Sequence, residues 1–298
     1  MPRFTGVIVP MITPFTYDYK LDFEGLDWLV EFLEDNGVHG LFPASTTGEF
    51  VHLSREERGQ LVGRVIEAHK RSLVLPGVTA NSTLEAIELA RSYIDMGADG
   101  VIAAPPYYFK PRREGLLRHF SMLAEKTDAP IIVYNIPSLT GNPIQVDLLE
   151  ELAREYSNIV GVKITHPDLT YLRRVIKALK TLNPRFSILT GIADLMLPNL
   201  MAGGDGGIVA LANIAPELLV DLYNTYTRGD CSGAVSVWRK ILELSTLYDI
   251  AETPVVVKEA LSMIHPQIKP VTRPPLLPLD KEKRAKVKHL LRQQGLLP

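Results

Sequence analysis

The sequence has one cysteine, Cys231. No disulfide can form within the chain, and a thiolate metal site would have to take its other ligands from elsewhere; a reducing, cytoplasmic setting fits this usage. An excess of charge is missing too. The 32 Lys and Arg residues against 34 Asp and Glu leave a formal net charge of -2. That gives neither nucleic acid nor an anionic membrane a reason to bind, and points to a small-molecule ligand. No apolar run reaches the length of a membrane span. The amino-terminal stretch MPRFTGVIVPMITPF is apolar, but it lacks a basic n-region and a small-residue cleavage site, and Pro10 and Pro14 interrupt it; a strand with its loop is expected there. The seven histidines, at 39, 52, 69, 119, 166, 265 and 289, show no ligand spacing. Asn and Gln are sparse while Pro is plentiful at 22 residues, a bias of the kind seen in heat-adapted proteins.

What is present is ample apolar material in a regular order. Hydrophobic residues make up 46% and charged ones 22%, enough to bury a substantial core. Short β-branched runs alternate with amphipathic segments. TGVIVPMIT, from Thr5, precedes a helical pattern beginning near Asp22, with Phe23, Leu26, Leu29, Val30 and Leu33 at three- and four-residue spacing. VHGLFPA leads into a helix opened by a Ser54/Glu57 capping box, and SLVLPGVTA into one opened by Ser82/Glu85 and stopped at Gly97. DGVIAAPPYY, PIIVYN and IVGVKIT follow, with helices from about Glu114, Val146 and Leu169, and FSILTGIA and GGIVALAN complete a series of eight.

Eight βα units whose strands read as nearly continuous apolar runs predict an α/β fold, an eight-stranded parallel (β/α)8 TIM barrel. A doubly wound open sheet is the alternative. From about Gly229 the pattern turns purely helical, so residues 1–228 are expected to form the catalytic barrel and 229–298 a C-terminal helical appendage whose helices are joined by the stiff KPVTRPPLLPL segment.

In such a barrel the reacting groups stand at the carboxyl ends of the strands. Applied unit by unit, that rule collects Thr13, the Ser45-Thr46-Thr47-Gly48 turn, Asn81, Tyr107, Tyr108, Tyr134, Asn135, Lys163, Thr165, Gly191 and Asn213. The set holds no carboxylate pair, histidine cluster or acidic triplet for Mg²⁺, so neither a metal nor a cofactor is expected. GGDGG, at 203–207, precedes its strand rather than joining a strand to a helix, and reads as a tight turn rather than a phosphate loop.

Lys163 is the anomaly, an ammonium near the end of a buried strand. It could snorkel to the rim or pair with a carboxylate. Alternatively, desolvation lowers its pKa, leaving enough neutral amine to attack a carbonyl and form a Schiff base. Such chemistry needs a proton carrier, and Tyr134, at the end of the preceding strand, is the neighbour expected to serve. The STTGE turn, with two hydroxyls and several N–H groups beside a glycine, suits a carboxylate, although a loop of this kind can also simply satisfy its own backbone. Together these groups imply a 2-oxo acid.

The segments STTGE, PPYYFKP, YNIPSLTG, GVKIT and AGGDGGI, in this order and spacing, resemble the dihydrodipicolinate synthase and N-acetylneuraminate lyase superfamily over essentially the whole chain. The resemblance implies that Lys163 forms the imine and that Tyr134, Thr47 and Tyr108 are its catalytic relay, Tyr108 acting from a neighbouring subunit. It further implies substrate binding by Thr46, Thr47, Gly191 and Ile208, and a homotetramer built as a dimer of dimers. One position departs from the pattern. Synthases of this family carry arginine in a PSRTG loop, where it holds the carboxylate of aspartate semialdehyde; here the text is PSLTG, with Leu139. An apolar side chain cannot replace a bidentate guanidinium. The expected activity is therefore reversible cleavage of a 2-keto-3-deoxy sugar acid to pyruvate and an aldehyde. The alternatives are 4-hydroxy-tetrahydrodipicolinate (dihydrodipicolinate) synthase and a barrel that senses a 2-oxo acid without turnover.

Overall fold

The structure, a computed structural model, describes residues 4–298. Among the described residues the elements run β1 (Gly6–Pro10), α1 (Phe23–Asp35), β2 (Gly40–Phe42), α2 (Arg55–Ala68), β3 (Leu73–Val74), α3 (Thr83–Asp95), β4 (Val101–Ala103), α4 (Arg113–Lys126), β5 (Ile131–Asn135), α5 (Pro137–Thr140), α6 (Val146–Glu155), β6 (Ile159–Ile164), α7 (Leu169–Leu182), β7 (Ser187–Thr190), α8 (Met196–Met201), β8 (Gly206–Ile208), α9 (Pro216–Thr227), α10 (Cys231–Ser245), α11 (Thr253–Ile264) and α12 (Lys281–Gln293). They divide between two compact units, one of Leu75–Ile208 with the segment up to Gly6, the other of Val7–Val74 with Val209–Pro298.

In the first unit five parallel strands lie in the order β8-β7-β6-β5-β4; in the second, β3-β2-β1. Each strand pairs with its sequence neighbour, and neither run contains the reversal that marks a doubly wound sheet. Strands β1, β5 and β7 are buried along their whole length, which is why their sequences do not alternate. The ladders are shorter than the apolar runs suggest. Pro10 is the last residue of β1, and Pro76, lacking an N–H to donate, follows the two-residue β3 closely.

Helix starts follow the sequence signals. Asp22 caps α1 by accepting from Gly25, and Ser54 and Glu57 form both arms of the capping box of α2. At Ser82 the bond formed is the forward one, its hydroxyl accepting from the Glu85 N–H at 3.5 Å. Such caps contribute about 1 kcal/mol each. Asp205 of the GGDGG turn accepts from the Ile188 N–H at 2.7 Å and pairs with Lys180 at 2.8 Å, while its carbonyl receives Gly6 N. The turn is thus a structural clasp for the start of β8. No helix among the described residues is long and apolar enough to cross a membrane.

Candidate active site

In the first unit, the parallel register of β5 and β6 sets Tyr134 directly opposite Lys163. Both strands are β-branched and aliphatic up to this point, so their apolar neighbours bury the two polar residues with them, at 4% and 3% exposure. The Lys163 Nζ lies 4.1 Å from the centroid of the Tyr134 ring. An ammonium is attracted to the ring face, but the surrounding hydrocarbon dominates. Burial draws the Lys163 pKa from its ordinary 10.5 down to about 7. A substantial neutral fraction therefore exists at physiological pH, which is the condition for a nucleophilic amine.

Thr165, one residue beyond β6, turns its hydroxyl toward the Tyr134 OH at 3.4 Å. Gly191, just past β7, sits against the same pair: a Cβ there would fall 1.9 Å from Thr165 Oγ1 and 2.9 Å from Lys163 Cε. Only glycine lets the backbone pass this close. Ile208, the last residue of β8, is fully buried. The structure thus gathers Lys163, Tyr134, Thr165 and Gly191 at neighbouring strand ends.

Two loops of this unit are tied together beyond the strands. Asn142 Nδ2 donates to the carbonyls of Pro106 and Phe109, at 2.6 and 2.9 Å, and Asn81 Oδ1 accepts from the N–H groups of Tyr107 and Tyr108. Asn135, at the end of β5, donates to the Tyr171 hydroxyl and accepts from Ile144 N. The PPYYFKP loop is therefore fixed to the PSLTG loop although two of its aromatic residues, Tyr108 and Phe109, project outward. Tyr108 is 80% exposed, packed edge-on to Phe109, which is itself exposed. Among the described residues, the contacts of Tyr108 are with Asn81 and Phe109 and not with Lys163 or Tyr134. Leu139 is also exposed, and Lys110 packs beside Gly141 of the same loop, with its Cε 3.5 Å from where a Cβ on Gly141 would stand.

In the second unit the Ser45–Glu49 turn follows β2. Two non-glycine residues lie in the left-handed region at its ends, Ala44 just before it at φ 52° and Glu49 closing it at φ 57°, a conformation that persists only where surrounding structure enforces it. The enforcement is visible. Ser45 Oγ donates to Met11 O and accepts from Gly48 N, and Thr13 Oγ1 donates to Gly48 O at 2.6 Å. A Cβ at Gly48 would lie 2.7 Å from Met11 O, so the turn packs flat against the loop after β1. Thr47 is buried and Thr46 half-buried. Asn213 reinforces the same loop, its side chain bonding Ile12 N, Pro10 O and Ala210 O.

Two groups of polar residues escaped the sequence reading. Thr165 stood among the strand-end residues without a role, and its closeness to Tyr134 depends on the β5–β6 register. Glu49, part of the STTGE text, carries a buried network with Lys258 and Arg273, whose partners lie over 200 positions away. No local spacing signals it. Among the described residues, no group of three or more His, Cys, Asp or Glu could hold a metal ion.

Comparison with known proteins places the chain in a family. The model of the dihydrodipicolinate synthetase family matches residues 3–294. A protein of Thermofilum pendens, named an uncharacterized DapA-like lyase, is 47% identical over 99% of this chain and 98% of its own. The 4-hydroxy-tetrahydrodipicolinate synthase of Methanopyrus kandleri is 41% identical, over 98% and 97%. The crystal structure of YagE from E. coli K12, a prophage protein of the dihydrodipicolinic acid synthase family in complex with pyruvate, superposes with a TM-score of 0.96 at 36% identity, covering 99% of each chain. The fold class is accordingly the eight-stranded parallel (β/α)8 TIM barrel with a C-terminal helical appendage.

Proposed function

The chain belongs to the dihydrodipicolinate synthetase family, and from that premise we propose that it is a class I, pyruvate-dependent aldolase that reversibly cleaves a 2-keto-3-deoxy sugar acid. The observation that carries this reading is Lys163, buried, with a pKa near 7, directly opposite Tyr134.

Neutral Lys163 Nζ adds to the C2 carbonyl of the substrate, and the carbinolamine loses water to give a protonated imine. Tyr134 accepts the proton of the C4 hydroxyl as it passes its own to the relay of Thr47 and Tyr108. The C3–C4 bond breaks, its electron pair becomes the enamine double bond with the iminium nitrogen as sink, and the aldehyde departs. Protonation at C3 and hydrolysis of the imine release pyruvate and restore the amine. Thr46 and Thr47 hold the carboxylate with hydroxyl and N–H donors, while Gly191 and Ile208 line the space beside the imine.

Tyr108 works from a neighbouring subunit in this reading, within a homotetramer assembled as a dimer of dimers. Its 80% exposure beside exposed Phe109 supports the assignment, since paired exposed aromatics suit an interface. Light scattering should give a tetramer, and Tyr108→Phe should impair turnover while leaving the oligomer intact; a fully active monomer refutes it.

The substrate choice rests on Leu139. A semialdehyde carboxylate entering without a paired cation loses hydration that nothing offsets, whereas the hydroxyls of a polyhydroxy aldehyde can bond to neutral donors. The second reading is 4-hydroxy-tetrahydrodipicolinate synthase, favoured by the Lys110 side chain beside Gly141, two residues from Leu139. Competing glyceraldehyde against aspartate semialdehyde with excess pyruvate, and comparing kcat/KM, separates the two. A clear preference for the semialdehyde overturns the aldolase reading.

A further inference from the structure

The second unit contains another buried ammonium, and the proposed chemistry does not call on it. Lys258, on α11, is 0% exposed. Its Nζ lies 2.5 Å from Glu49 Oε1, donates to Val271 O at 2.8 Å and stands 4.1 Å from the centroid of the Phe15 ring. Burial draws its pKa down to about 8 although the Glu49 carboxylate opposes the shift.

Glu49 is equally enclosed, at 1% exposure. Its Oε2 accepts the Arg273 backbone N–H at 3.0 Å and faces His52 Nδ1 at 3.1 Å. The Arg273 guanidinium in turn grips both oxygens of Glu57, at 2.7 and 2.5 Å, and the carbonyls of His52 and Tyr19. It stacks 4.6 Å from the same Phe15 ring. The side chain of Glu49 is therefore held on three sides by donors, two of them from residues more than 200 positions downstream.

A buried pair of this kind is weak evidence for stability, because well-packed apolar residues commonly do as well in the same space. What it does enforce is geometry. The backbone of Glu49 occupies the left-handed region, its N–H donates to Thr46 O at 3.0 Å and its carbonyl receives His52 N. It is the closing residue of the Thr46–Thr47 turn. Ser45 and Thr13 fix the other side of that turn from the loops after β1 and β2, and the carboxylate of Glu49 is the anchor that comes from the carboxyl-terminal part of the chain.

We propose that Glu49, clamped by Lys258 and by the Arg273 N–H, is a positioning residue for the Thr46–Thr47 turn, so that α11 and the segment around Val271–Arg273 set the affinity for the substrate carboxylate. The inference rests on the reading that Thr46 and Thr47 receive that carboxylate. It makes the helical appendage part of the binding apparatus rather than a separate attachment.

Glu49→Gln is the test, because a glutamine keeps the size but must turn its amide NH2 toward either Lys258 Nζ or the Arg273 N–H, a donor against a donor. The turn then shifts while Lys163 and Tyr134 keep their places. With pyruvate as the varied substrate, KM should rise about tenfold or more while kcat at saturation stays within about threefold, and borohydride should still fix pyruvate on Lys163. A purely structural role would lower the unfolding temperature and leave KM alone, and that result overturns the proposal. Should the single variant fail to fold, Glu49→Gln with Lys258→Met, which leaves no buried charge unpaired, is held to the same criteria. Thr46→Val separates the two readings. If it raises KM and the Glu49 variant does not, the positioning role is wrong; if neither raises KM, the carboxylate assignment itself has failed and the inference falls with it.

Discussion

Replacing Lys163 with methionine should make the protein more stable. The amine is held in hydrocarbon at the end of β6, and burial lowers its pKa from 10.5 to about 7. Below pH 7 it is charged in both the folded and the unfolded chain, and the folded state bears the whole cost of the buried charge. Between about pH 7 and 10.5 the folded chain has released a proton that the unfolded chain retains, so stability rises with pH through this window; above it the cost is gone. The shift of about 3.5 units, at about 1.4 kcal/mol per unit, sets that cost at roughly 5 kcal/mol. Methionine is of similar length, fills the same space and carries no charge. Lys163→Met should thus exceed the wild type by up to about 5 kcal/mol at pH 6, falling to about 1 kcal/mol at pH 10. Urea unfolding of both proteins at a series of pH values reads the difference directly, and effects common to both cancel. A variant no more stable than the wild type at pH 6, or a gain that does not decline with pH, refutes the reasoning that this lysine is held neutral at a cost to the fold.

Tyr134→Phe keeps the ring against Lys163 and removes the hydroxyl, so kcat should fall by about 10²–10⁴ while borohydride still traps pyruvate on the lysine, only more slowly. An activity loss below threefold would remove Tyr134 from the relay. Gly191→Ala inserts a methyl 1.9 Å from Thr165 Oγ1 and 2.9 Å from Lys163 Cε; imine formation should fall at least about tenfold with the fold retained by circular dichroism. Leu139→Arg supplies the missing cation and should raise kcat/KM for aspartate semialdehyde by about thirtyfold, equivalent to roughly 2 kcal/mol, without comparable gain for glyceraldehyde. An unchanged ratio of the two would show that this loop does not select the aldehyde.

Much of this arrangement was legible in the sequence because its determinants are local. The β-branched runs around Lys163 and Tyr134 announce buried strands, and consecutive strands in a barrel are neighbours, so the opposition of these two residues follows from their places alone. The helix starts at Asp22 and Ser54 are set by side chains within three residues of the bonds they make. Strand lengths were less legible, since an apolar run such as SLVLPGVTA signals burial while the proline within it limits the ladder. The Glu49–Lys258 pair was illegible for a different reason: it joins residues 209 positions apart, and a lysine in TPVVVKEALSMI reads like any other position on an amphipathic helix. Tyr108 reads as a strand-end aromatic, and in the single chain it stands on the surface, so the role proposed for it requires an assembly and has no signature in the single chain.

The central claim is that Lys163 forms an imine with a 2-oxo acid. Incubating the protein with pyruvate and sodium borohydride, digesting it and mapping the product by mass spectrometry tests this most directly. The account predicts one pyruvate-derived mass increment, on the peptide containing Lys163, lost in Lys163→Met. An increment on any other lysine, or none at all, contradicts it.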